Sequence, residues 1–119
     1  MQWQYCAYRL IERYPNLRST LAEEPETIHD FYGFLSELYR IKYPAQGSPT
    51  LAKRVAALLQ SASIDCDIGY RRGLDHGDWV PMMLMYPNDE VPIVQLSIQH
   101  SLYPEERFAI GRAVSDLRQ

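Results

Sequence analysis

The sequence lacks the motifs that assign a function by themselves. It contains no GxxxxGKS/T, no GxGxxG and no GxSxG, so it encodes no phosphate-cradling loop, dinucleotide turn or nucleophile elbow. Gly69, Gly73, Gly77 and Gly111 are too dispersed to build one. Cysteine is confined to Cys6 and Cys66, too few for a disulfide framework and wrongly spaced for zinc. Both fit small packing residues in a reducing, cytoplasmic compartment. Charge of one sign is also missing: 12 Lys plus Arg against 15 Asp plus Glu leaves −3. That balance gives no general drive toward nucleic acid or an anionic membrane. The longest nearly uninterrupted apolar stretch, Trp79 to Tyr86, is far too short to span a bilayer. No basic segment followed by an apolar one opens the chain, so no secretory signal is expected.

What is present suits one compact domain. A globular chain of 119 residues buries roughly two-thirds of its extended surface, and 46% hydrophobic against 23% charged residues excludes general disorder. Nine tyrosines, several on apolar faces, read as buried rings with wet hydroxyls.

Trp3, Cys6, Ala7, Leu10, Ile11 and Tyr14 fall at helical spacing, which predicts an amphipathic helix over 1–14, stopped by Pro15-Asn16. Residues 17–26 are polar and acidic and predict a loop. A short helix is expected over Gly33 to Ile41, with Phe34, Leu38 and Ile41 on one stripe. Ser48-Pro49 is an N-cap followed by proline at the first helical position, and Leu51, Val55, Leu58 and Leu59 follow as a core face. Ile64 to Ile68 alternates apolar and acidic residues, as a half-buried strand does. Asp75 caps a helix running to Tyr86 that contains Pro81, and Met82-Met83-Leu84-Met85 reads as adaptable core packing. Val91 to Ile98 is the strongest strand, continuous enough to be buried on both faces. A last helix from Pro104 carries Phe108, Ile110, Ala113, Val114 and Leu117 inward. The alternation predicts an α/β fold in which 64–68 and 91–98 form a parallel pair with a right-handed crossover. So thin a sheet implies a partial, parallel-type sheet flanked by helices, completed by self-association or by a partner chain.

Chemistry centres on three histidines. His76, in Gly73-Leu74-Asp75-His76-Gly77-Asp78-Trp79, follows a strand and precedes a helix, where open α/β sheets place their pockets. Asp75 or Asp78 is positioned to hold its tautomer, and an exposed histidine beside a capping aspartate is the plainer alternative. His29 is either a pocket residue or a polar residue at a junction where Asp30 caps the next helix. His100 follows the 91–98 strand and reads as a surface loop residue. Arg71-Arg72 reads as a solvated pair of charges. No two histidines show HxxxH or HxH spacing, so no metal ligand is assigned.

The segments TIHDFYGF (27–34), YPAQGSP (43–49), GLDHGDW (73–79), MYPNDEVPIVQLSI (85–98) and GRAVSDLR (111–118) together resemble the LigB-like class III extradiol ring-cleavage dioxygenases, in the branch of the 4,5-DOPA dioxygenase type. The resemblance implies an α/β fold, a catecholic substrate, O₂ and a non-haem metal, Fe(II) or Zn(II). It implies His76 as the active-site histidine that positions O₂ or transfers protons, with Asp75, Trp79 and His29 around the substrate pocket. The GHGSP-type and SAHW-type segments that carry the family's metal ligands do not occur in this chain. The resemblance thus implies a divergent N-terminal helical segment at 1–22, a partial LigB-like dioxygenase domain at 23–119, and the middle part of a larger fold. A non-catalytic truncated remnant and an interaction subunit of an α/β partner are the alternative readings.

Overall fold

Ser48 begins the most locally determined element. Its hydroxyl accepts the Leu51 N–H at 3.2 Å, and Pro49 opens helix α1 (Pro49–Ser61). Leu51, Ala52, Val55, Ala56 and Leu59 form its buried face, with Leu58 half-buried beside them. Replacing Ser48 by alanine is expected to cost about 1 kcal/mol, read from the urea midpoint, because the Leu51 N–H loses its acceptor.

The computed structural model describes residues 5–10, 17–20, 22–69, 73–98 and 103–118, the first two stretches by their backbone. Around α1 lie strands β1 (Tyr5–Leu10), β2 (Leu17–Thr20), β3 (Cys66–Gly69) and β4 (Ile93–Ile98), and helices α2 (His76–Met85) and α3 (Pro104–Ala113). The strands form one sheet in the order β1-β4-β2-β3. β1 pairs parallel with β4 from Tyr5↔Ile93 to Leu10↔Ile98, and β2 pairs parallel with β3. β2 meets β4 antiparallel at Ser19↔Leu96.

The structure departs from three expectations. The predicted helix over 1–14, and with it the helical character of 1–22, gives way to a strand at Tyr5–Leu10. A short apolar run fits either period, and pairing along β4 decides in favour of the strand. Trp3, Ile11, Tyr14 and the Pro15-Asn16 stop lie outside the described residues. The loop expected over 17–26 contains β2, whose pairing to β3 is long-range. β3 and β4 are not a parallel pair: β2 lies between them, and the sheet is mixed.

β4 alternates between two cores. Val94 and Leu96 join α1, Cys66 of β3, and Ile110 and Val114 on one side of the sheet. Ile93 joins Tyr43, Ala45, Leu74, Trp79, Met82 and Val91 on the other. Every residue of β4 from Ile93 to Ser97 is buried, as a central strand requires. On α3, Ile110 and Val114 face inward but Phe108 is 69% exposed. Two positions along a helix turn the side chain about 200°, so Phe108 cannot share the stripe of Ile110. The methionine run divides likewise: Met82 is buried and Met83 half-buried, whereas Leu84 and Met85 are exposed. No helix among the described residues is long and apolar enough to cross a membrane.

Candidate functional site

The site is assembled by a strap, residues 22–47, laid across the start of α2. Glu26 and Ile28 exchange backbone hydrogen bonds with Leu74, each of 2.7 Å, in an isolated parallel bridge centred on Thr27 and Leu74. The Thr27 hydroxyl accepts the Tyr43 N–H at 2.9 Å, and the Tyr43 phenol donates to the Tyr86 carbonyl at 2.7 Å. Burial, and then the charges of Asp89 and Glu90, push the Tyr43 phenol above its ordinary pKa, so it stays a donor.

These contacts bring His29, Asp75, His76 and Trp79 into one region. Trp79 is buried, and its indole N–H donates to the Ile28 carbonyl at 2.8 Å. His29 Nε2 lies 2.7 Å from the Ile41 carbonyl, and its ring centroid is 5.7 Å from that of Trp79. Asp75 caps α2 as expected, one oxygen accepting the Gly77 N–H at 3.1 Å. It is fully buried, and its other oxygen accepts from the Gln95 amide at 3.1 Å while Gln95 accepts the Asp75 N–H at 3.3 Å. A carboxylate at a helix N-terminus is favoured by the helix dipole, and the reciprocal pair ties α2 to β4.

The hydrogen bonds made by His76 differ from the expectation. Neither Asp75 nor Asp78 is seen to hold its ring. Asp30, expected as a cap for the following helix, instead bonds to His76: Oδ1 lies 2.7 Å from Nδ1 and 2.9 Å from the His76 backbone nitrogen. The segment that Asp30 was to cap is a short 3-10 turn, Ser36–Arg40, beginning after Gly33 adopts φ +79°. Burial pushes the Asp30 carboxyl up, but the hydrogen bonds from the His76 backbone and ring, and from its own backbone, outweigh this and hold it below its ordinary value of 3.8.

That direction fixes a pH dependence. With the folded pKa depressed, the unfolded chain binds the Asp30 proton more readily, so the stabilisation is complete above the ordinary carboxylate value and lost as pH falls through the folded one. The urea midpoint of Asp30→Asn is expected to fall less steeply than that of the native chain across this acid window. Parallel curves would show that the contact contributes nothing to stability.

Beside these residues opens a cavity of about 350 Å³ lined by Phe31, Phe34, Leu38, Ile41, His76, Trp79, Val80 and Met83. Phe34, Leu38 and Ile41, predicted as one stripe of a helix over Gly33 to Ile41, all line the cavity, but only Leu38 lies within the 3-10 turn. Among the described residues of the lining His76 is the one ionisable side chain, and it is 37% exposed. Phe31 stands edge-on to it at 5.8 Å between centroids and packs on Tyr39 at 4.9 Å. Sequence reasoning did not single out Phe31 or Gln95 and gave Asp30 a different task. Gln95 carried a usable signal: an amide inside an apolar strand needs a buried partner. His100, Arg71 and Arg72 lie outside the described residues. Among the described residues, no group of three or more His, Cys, Asp or Glu converges to hold a metal ion.

A family model described as the catalytic LigB subunit of aromatic ring-opening dioxygenase matches residues 9–119. A 4,5-DOPA dioxygenase extradiol of Mirabilis jalapa is 44% identical over 97 residues, covering 82% of this chain and 36% of its own length. The protein of the same name from Beta vulgaris is 46% identical over 96 residues, covering 78% and 35%, and that of Escherichia coli K12 is 44% identical over 99, covering 83% and 36%. The crystal structure of an uncharacterised Escherichia coli K12 protein is similar at a TM-score of 0.65 and 33% identity, over 94% of this chain and 41% of its own. The chain spans about a third of the length of the curated relatives it matches. With nearly all of its sequence inside the family match, the chain belongs to the LigB family of aromatic ring-opening dioxygenases.

Proposed function

We propose that residues 23–119 supply one wall of a catechol-binding, extradiol ring-opening site, with His76 as its proton-transfer residue. The observation that carries this reading is the lining of the cavity: among the described residues, apolar and aromatic side chains with a single imidazole. An aromatic ring is held by such a surface through area burial and edge-to-face contact. A phenolic hydroxyl on that ring then finds one group able to accept or return its proton. His29 and Trp79 shape the wall, and Asp75 holds the turn on which His76 sits.

The metal used by LigB dioxygenases, Fe(II) or Zn(II) on this reading, does not fit the described residues, which offer no ligand set. Its ligands have to come from elsewhere in the protein or from a partner chain. An added strand from such a chain, or from a second copy, would join the sheet at β1 or β3, the two edges among the described strands. A cytoplasmic setting belongs to the same reading, on the low cysteine count.

The test needs no metal. Catechol and 1,2-dimethoxybenzene are titrated into the isotope-labelled chain, and resonances are followed by NMR. Catechol is expected to shift His76, Phe31 and Trp79 and to bind more tightly than the ether, which has no proton to give. Equal binding would remove His76 from the reading, and no shifts at these residues would remove the cavity.

A further inference from the structure

We propose that Asp30 is the positioning residue for His76, fixing its Nδ1–H tautomer so that Nε2 is the nitrogen that exchanges protons with a ligand. The inference rests on the reading of His76 given above and adds to it a residue that acts through another.

The argument starts from hydrogen-bond inventory. An ionised carboxylate only accepts, so both atoms of His76 within reach of Asp30 Oδ1 must donate. The backbone nitrogen at 2.9 Å has its proton by necessity. The ring nitrogen at 2.7 Å therefore carries the imidazole proton, and the lone pair of the neutral ring lies on Nε2. Because one oxygen holds the backbone and the ring of the same residue, rotating the ring breaks the second bond while the first keeps the carboxylate in place. Phe31, at an interplanar angle of 88° to the imidazole, packs against the ring from the same loop that carries Asp30.

His29 supplies an internal contrast. Its Nε2 faces the Ile41 carbonyl, which can only accept, so His29 carries its proton on Nε2 and uses it in a bond within the strap. Two histidines that share Phe31 as a neighbour are thus set in opposite tautomers by their partners, a carbonyl for one and a carboxylate for the other. The structural one has its Nε2 proton committed. The one on the cavity keeps its Nε2 clear of that commitment.

Asp30 is one of several ties across the junction. The Thr27–Leu74 bridge and the Trp79-to-Ile28 bond join the same two segments through other atoms. Removing the carboxylate is therefore expected to change the ring and leave the strap docked.

The whole chain, labelled with ¹⁵N at histidine, is examined by long-range ¹⁵N–¹H correlation at about pH 8, above the ordinary histidine pKa. His76 is expected to show the Nδ1–H pattern and His29 the Nε2–H pattern. In Asp30→Ala, His76 is expected to lose the Nδ1–H preference while His29 keeps its own, which also reports that the strap is intact. An Nε2–H pattern for His76 in the native chain, or an unchanged pattern in Asp30→Ala, overturns the inference. Should Asp30→Ala fail to fold, Asp30→Leu keeps the branched shape and removes the acceptor. It is expected to lose the Nδ1–H preference, and retention of pure Nδ1–H would count against Asp30. The catechol titration fails independently: a correct tautomer with no preference for catechol leaves Asp30 a positioning residue and removes the proton-transfer role from His76.

Discussion

Gly73→Ala is expected to destabilise the chain by roughly 2–4 kcal/mol and to release the strap that builds the cavity. A Cβ at this position would stand 2.2 Å from the Glu26 carbonyl oxygen and 2.8 Å from its carbon. Both are backbone atoms, so no side-chain rotation relieves the overlap. Backing the strap away breaks the Leu74-to-Glu26 and Ile28-to-Leu74 hydrogen bonds, each of 2.7 Å, and draws Asp30 from His76. Each lost backbone bond costs about 0.5–1.5 kcal/mol, and lost packing around Trp79 adds to it. Gly111→Ala is the matched comparison, since nothing lies within 4 Å of a Cβ built there. In the exposed interior of α3 alanine is expected to stabilise by roughly 0.5–1 kcal/mol. Urea unfolding of the two variants should give midpoints on opposite sides of the native one. A Gly73→Ala midpoint at or above native would show that the strap does not approach residue 73 so closely.

How much of this was legible before the structure depended on how far apart the determining residues lie. The starts of α1 and α2 were legible because Ser48 and Asp75 act within three residues of themselves, and β4 because its run from Ile93 to Ser97 is buried throughout. β1 was misread as a helix because its period is ambiguous over six residues and its pairing partner lies more than eighty positions away. The same separation hid the support of the site. Asp30 reaches His76 across 46 positions and Gln95 reaches Asp75 across 20, so neither assignment was available to local chemistry. The segments around His29 and His76 stood out by resemblance, whereas the contacts that set their ring protons required the fold.

His76→Ala separates the two uses a half-exposed histidine can have. Its side chain fills no core position, and its backbone N–H keeps the Asp30 carboxylate as acceptor in the variant, so the unfolding free energy read from the urea midpoint should fall by less than about 1 kcal/mol. Ligand discrimination should change far more. With the imidazole gone the described residues of the lining offer no ionisable group, and a buried hydroxyl without an acceptor costs about 1–3 kcal/mol. The preference for catechol over 1,2-dimethoxybenzene is then expected to collapse to parity, with both ligands still bound through the ring. If the rest of a LigB domain is supplied and ring opening is followed as oxygen uptake, loss of a positioned acid–base group is expected to lower the rate by roughly 10²–10⁴-fold. Asp30→Ala should fall between native and His76→Ala, since it leaves the imidazole present but frees its tautomer. A His76→Ala chain that loses its cooperative unfolding transition would assign the residue to the fold. An unchanged preference for catechol would mean that the hydroxyl meets some other group, and that the imidazole is a bystander on the wall.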